Sequence, residues 1–234
     1  MRTEILTRLQ AVVDDQYRIF HQKLVPDNIK VLGVRIPILH KLAQAIIKQK
    51  QTAEFMAQNL EEFEYQEEFL LYGLVLAKIK EEDSQKILRI KKFIPYINNW
   101  AVCDIFCSAL KVVKQNPALY YQTFVSYVTH QSEYEIRFFY VLALNYFIME
   151  EYLQKTFSLI QNQKYSGYYD KMAVAWYISI TYIKYPQIIE HFLFEQNMDE
   201  FVFRKSISKI CDSYRIKKET KIRLRGLVSQ KTTI

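Results

Sequence analysis

Glycine and proline are scarce in this chain, four and five among 234 residues, where ordinary usage gives a combined share of roughly 12%. Such scarcity suits helices joined by brief turns. Cysteine is as sparing: Cys103, Cys107 and Cys211 form no CxxC pair, and the first two lie one helical turn apart, a spacing that disfavours a bridge between them. A reduced, cytosolic compartment follows. The histidines at 21, 40, 130 and 191 are scattered, no His/Cys group has the spacing of a zinc site, and no metal is expected. No apolar run approaches the roughly 18 residues of a membrane span, and the N-terminal MRTEILTRLQAVVDD turns acidic too early for a secretory signal. A soluble protein without a membrane partner is expected.

Half of the residues are apolar, ample for a core, so disorder is disfavoured. Eighteen tyrosines supply apolar bodies with polar tips, suited both to helix seams and to surfaces that meet ligands or nucleic acid. Charge is distributed unevenly. Residues 1–200 hold 22 Lys/Arg and 23 Asp/Glu, a net of −1, whereas residues 201–234 hold 10 and 2, a net of +8. The basic excess therefore sits in the final segment, 201–234, from Arg204 and Lys205 through Lys209, Arg215, Lys217, Lys218, Lys221, Arg223 and Arg225. That concentration fits contact with nucleic acid or another polyanion, and equally a solvated basic tail.

Helical periodicity recurs almost without pause, predicting helices near 2–22, 36–49, 53–60, 65–79, 84–93, 98–114, 117–129, 133–148, 150–162, 168–184, 186–195, 199–213 and 217–229, with no convincing strand pair. Pro37, Pro117 and Pro186 fall where a helix begins, the position at which a missing N–H costs nothing. Asn116-Pro117 and Tyr185-Pro186 thus mark boundaries between paired helices. From Pro117 to Glu150, and from there to Pro186, the spacing is 33–36 residues, the length of one helix-turn-helix repeat in an α-solenoid. A compact helical bundle is the competing architecture. The acidic run Glu61–Glu68 (EEFEYQEE) reads as a solvated junction between helices.

Within Asn98–Leu110 (NNWAVCDIFCSAL), Asp104 follows Trp100 by one turn, so the two share a helix face inside an otherwise apolar pattern. An unpaired carboxylate buried among Val102, Ile105 and Phe106 would cost several kcal/mol, roughly, so a partner cation or a functional demand must keep it there. Three further elements stand out: Arg137 in YEIRFFYVLAL, Trp176 in GYYDKMAVAWYISITY, and LGVRIPIL over Leu32–Leu39.

These segments resemble the AlkD-type DNA alkylation repair family, helical-repeat DNA glycosylases of HEAT-like architecture, over about residues 17–228. The most specific pieces are LGVRIP, NNWAVCD, the Arg of EIRF, and KMAVAWYIS. The resemblance implies a single all-α domain over 1–234, an α-solenoid of HEAT-like antiparallel helix pairs whose C-shaped, positively lined concave face holds duplex DNA. It implies removal of cationic N3- and N7-alkylpurines by a monomer that needs no cofactor. By motif, the two tryptophans and the aspartate that meet the lesion's backbone and deoxyribose fall on Trp100, Trp176 and Asp104, and the phosphate-holding arginine on Arg137.

The chemistry is plausible on independent grounds. An N-alkylated purine is already cationic, leaves as a neutral base and needs no general acid. One carboxylate beside C1′ then suffices to stabilise an oxocarbenium-like transition state and orient water, while indole faces favour nearby positive charge. Other readings of the same residues stand beside this one. Trp100 and Trp176 could fill helix seams, and Asp104 and Arg137 could be a buried ion pair. A non-catalytic nucleic-acid-binding module or a protein-interaction scaffold would keep the fold without the activity. Lys171 and Tyr169, in the turn before Trp176, are secondary phosphate candidates, with an exposed helix-end role as the alternative. Gly33 is expected to support a tight turn before Arg35, itself a fold or phosphate contact. Cys103 and Cys107 read as core thiols, and Tyr17 and His21 as packing.

Overall fold

Capping side chains and prolines set where the helices begin. The computed structural model describes residues 1–195 and 198–231, and among them it contains fourteen α-helices, four short 3₁₀ turns and one isolated parallel bridge, Lys30 to Tyr65. The chain falls into two compact units, Met1–Asn116 and Pro117–Ile234. The division falls at Asn116-Pro117, which the sequence marks as a boundary between paired helices.

The first unit contains α1 (Arg2–Gln10), α2 (Asp15–Gln22), α3 (Ile36–Lys48), α4 (Thr52–Met56), α5 (Gln66–Lys78), α6 (Asp83–Phe93) and α7 (Trp100–Ala109). Helix α5 lies between α3 and α7 and is buried on every side from Gln66 to Ala77, the pattern of a central helix rather than of an amphipathic one. Each fully buried Leu or Phe there contributes about 1.5–3 kcal/mol. Helix α3 buries only Leu39, Ala43 and Ile46, one stripe at helical spacing, with Pro37 in its first turn as expected.

Two expectations fail in this unit. The single helix over 2–22 is two, because Asp14 interrupts it: its side chain accepts from Tyr17 N–H to cap α2, and its own N–H donates to the Gly33 carbonyl at 3.0 Å. The acidic run is solvated only in part. Glu61, Glu62 and Glu64 are exposed, but Glu67 and Glu68 are buried. Glu67 accepts from the N–H groups of Leu32, Gly33 and Val34 at 2.9, 2.8 and 3.2 Å. Glu68 accepts from the N–H groups of Glu64 and Tyr65 and pairs with Arg2 Nε at 2.8 Å. Backbone donors with no helical partner thus obtain one from α5. Gly33 is required where it stands: its φ is +95°, and a Cβ would lie 2.6 Å from the Cβ of Arg18.

The second unit contains α8 (Pro117–Phe124), α9 (Glu133–Tyr146), α10 (Glu150–Gln161), α11 (Tyr168–Lys184), α12 (Pro186–Glu195), α13 (Glu200–Asp212) and α14 (Lys218–Lys231). Helix α11 packs between α9 and α13, so here too every second helix stacks. Helices α8, α10 and α12 begin at Pro117, Glu150 and Pro186, the positions from which the repeat length was read. Helix α10 buries Tyr152, Leu153, Thr156, Phe157 and Ile160 as one stripe, whereas α9 is buried all round from Ile136 to Ala143.

Candidate functional site

Helix α7 begins at Trp100 because the side chain of buried Asn99 accepts from the N–H groups of Ala101 and Val102. With the start fixed, helical geometry sorts the residues: Ala101, Val102, Cys103, Phe106 and Cys107 turn inward, while Trp100, Asp104 and Ser108 form a stripe that keeps contact with solvent. Asp104 is half-buried, so the heavy desolvation cost expected for a carboxylate enclosed by Val102, Ile105 and Phe106 does not arise in full.

Trp100 is clamped. Its Nε1–H donates to the Leu24 carbonyl at 2.8 Å, and its ring stacks on His21 with centroids 6.1 Å apart and planes 7° from parallel. His21 is itself held: Gln66 Nε2 lies 3.2 Å from one ring nitrogen, and the Tyr17 hydroxyl 2.8 Å from Nδ1. With Gln66 donating at Nε2, a neutral imidazole carries its proton on Nδ1 and donates to the Tyr17 oxygen. Burial lowers the His21 pKa, against a smaller opposing influence of Glu67. The Arg35 guanidinium covers the Tyr17 ring at 5.0 Å and pairs with Asp14 at 2.8 Å. The Tyr17–His21 pair, read from sequence as packing, is therefore the support of Trp100; its one-turn spacing was visible, but its partner 79 positions away in the chain was not.

In the second unit Arg137 and Glu133, one turn apart on α9, bracket a single residue. Glu133 accepts from the Tyr169 N–H at 2.8 Å, and Arg137 Nη1 donates to the Tyr169 carbonyl at 3.0 Å. Arg137 is only 6% exposed and thus helps place the start of α11. Asp170 completes that start, accepting from the N–H groups of Ser166 and Gly167, and its burial raises its pKa. Trp176, two turns further along α11, is half-buried, with Lys209 Nζ of α13 over its ring at 6.0 Å. Lys171 is committed elsewhere: its Nζ pairs with Asp199 Oδ2 at 2.8 Å, an exchange that, with the N–H of Val202, outweighs burial and lowers the Asp199 pKa. It remains a weaker phosphate candidate for that reason.

Open grooves of about 610 Å³ beside α2 and about 580 Å³ lined by residues such as His130, Gln163 and Tyr165 involve none of Trp100, Asp104, Arg137 and Trp176. Among the described residues, no group of three or more His, Cys, Asp and Glu is placed to hold a metal, and no helix is long and apolar enough to cross a membrane.

Two units in which every second helix stacks, with solvent-reaching tryptophans held by neighbouring helices, define an all-α protein of paired helices. The chain belongs to the DNA alkylation repair enzyme family, whose model matches residues 5–210, a span that runs through both units and stops short of the turn after α13. No curated protein and no solved structure shows significant similarity to it.

Proposed function

We propose that this DNA alkylation repair protein is a glycosylase, acting as a cofactor-free monomer on duplex DNA that bears cationic N3- or N7-alkylated purines. In the reaction the N-glycosidic bond breaks, its electron pair neutralises the positive purine, and water adds to C1′ with loss of a proton, leaving an abasic site. Asp104 is the electrostatic and water-orienting group, Trp100 and Trp176 contact the lesion nucleotide, and Arg137 contributes positive charge toward phosphate.

The observation that carries this reading is the Trp100–Asp104 stripe of α7. An indole immobilised by Leu24 and His21 sits one turn from a carboxylate that keeps contact with solvent. A preorganised charge of this kind stabilises a developing cation without reorganising during the reaction. The burial of Arg137 favours a structural share in its role, so its variant is a poor first test.

The decisive measurement is single-turnover release of 7-methylguanine and 3-methyladenine from methylated duplex DNA. Asp104→Asn keeps the size of the side chain and removes its charge; a loss of roughly a hundredfold or more in release, with DNA affinity and melting temperature retained, is expected. An Asn variant that cleaves at the wild-type rate removes Asp104 from the mechanism. Wild-type protein that binds DNA and releases no base is a binding module instead.

A further inference from the structure

The turn after α13 exposes an aromatic ring among cations. Tyr214 is 103% exposed, as open as a side chain in an extended peptide. Its position is built rather than loose: α13 ends at Asp212, the Arg215 N–H donates to the Ser213 hydroxyl at 3.2 Å, and the Ile216 N–H donates to the Ser213 carbonyl at 3.3 Å. Tyr214 and Arg215 thus occupy the two central positions of a turn whose flanks, Ser213 and Ile216, are half-buried. Lys217 and Lys218 follow at once, and Lys217 opens α14 by accepting from the Lys221 N–H. Arg215, Lys217 and Lys218 have no acidic partner among the described residues, while Asp212 and Glu219 are the acids nearby in the chain.

We propose that this corner is a second nucleic-acid contact, in which Tyr214 stacks on an unpaired base while Arg215, Lys217 and Lys218 hold the adjoining phosphates. An exposed ring offers a π-face to any base, and cations on both sides track the backbone, the combination by which proteins grip unpaired strands. Away from its ends, a fully paired duplex presents base edges and phosphates but no free base face, so the ring discriminates in favour of frayed, gapped or single-stranded DNA. The corner adjoins the proposed lesion contacts within its own unit. Lys209, over Trp176, precedes Tyr214 by five residues, at most about 18 Å of chain, or roughly five base steps. The link to a lesion rests on the glycosylase reading, whereas the base contact itself does not.

The test uses full-length protein, with 2-aminopurine placed in a short single-stranded extension of a duplex and a blunt duplex of equal length as the control. Wild type is expected to quench the probe and to prefer the extended DNA. Tyr214→Ala should lose on the order of tenfold in affinity for it, Tyr214→Trp should retain that affinity, and both should bind blunt duplex as wild type does. Replacing Lys217 and Lys218 together by alanine should weaken binding to both DNAs and lower the salt slope by about two. Equal loss on both DNAs in Tyr214→Ala, or rescue by no aromatic residue, overturns the stacking role. Unchanged DNA binding in every variant, with weakened binding to vesicles of anionic lipid, overturns the nucleic-acid assignment. Base release from methylated blunt duplex is measured in parallel: its absence in wild type refutes the glycosylase and leaves the Tyr214 contact standing.

Discussion

A neutral histidine under a tryptophan ties the placement of that indole to pH. His21 is 6% exposed, and its two ring nitrogens already face the Gln66 amide and the Tyr17 hydroxyl. Protonation would place a charge in a buried site and an N–H against the Gln66 N–H, so burial lowers the pKa below its ordinary 6.5. The unfolded chain then binds the proton first: the stabilisation is complete above about pH 6.5 and is lost as pH falls toward the depressed folded value. Melting of His21→Gln, compared with wild type from pH 8 to 5, should show a smaller decline on acidification. Equal declines would mean that His21 does not titrate with folding. Sequence showed the one-turn spacing of Tyr17 and His21 but gave no means of linking them to Trp100, because stacking between α2 and α7 is a contact between segments distant in the chain. For Trp100 and Asp104 the reverse holds. Their shared face follows from local helix geometry alone, and the structure places both on it.

Among the elements, helix starts were legible wherever a proline or a strong apolar stripe announced them. Pro117, Glu150 and Pro186 open α8, α10 and α12 as the spacing predicted, since repeat length depends on the chain itself. The division of 2–22 and the burial of Glu67 and Glu68 escaped the same reading. Both depend on partners across a loop: Asp14 meets Gly33 and Arg35, and Glu67 reaches back to the N–H groups of Leu32, Gly33 and Val34. Hydrophobic periodicity registers which face is apolar, not which carboxylate answers three orphan donors. Glu67→Gln should therefore destabilise by about 1–3 kcal/mol, because one carboxylate oxygen becomes an N–H₂ group facing backbone donors. Glu61→Gln, at an exposed position of the same run, should change stability by less than about 0.5 kcal/mol. Chemical denaturation of the two variants compares them directly, and equal effects would contradict the anchoring role of Glu67.

For the whole molecule, charge sets how binding is measured. The +8 of residues 201–234 against the −1 of the preceding 200 predicts duplex affinity that falls steeply with salt, with most of the slope carried by the basic segment. A titration of affinity against salt, repeated with Lys217, Lys218 and Lys221 neutralised, should show a slope reduced by about three and a smaller effect on base release than Asp104→Asn produces. A flat salt response in wild type would point to a protein partner. The clamp on Trp100 also has an optical consequence. The chain has two tryptophans, and one lies in each unit. Under excitation that tyrosine does not absorb, Trp176→Phe leaves a lone tryptophan whose emission reports the folding of residues 1–116, and Trp100→Phe leaves one that reports the other unit. Since a protonated imidazole quenches a stacked indole, the Trp176→Phe protein should dim as acid reaches His21, turning the support of the proposed site into its own indicator.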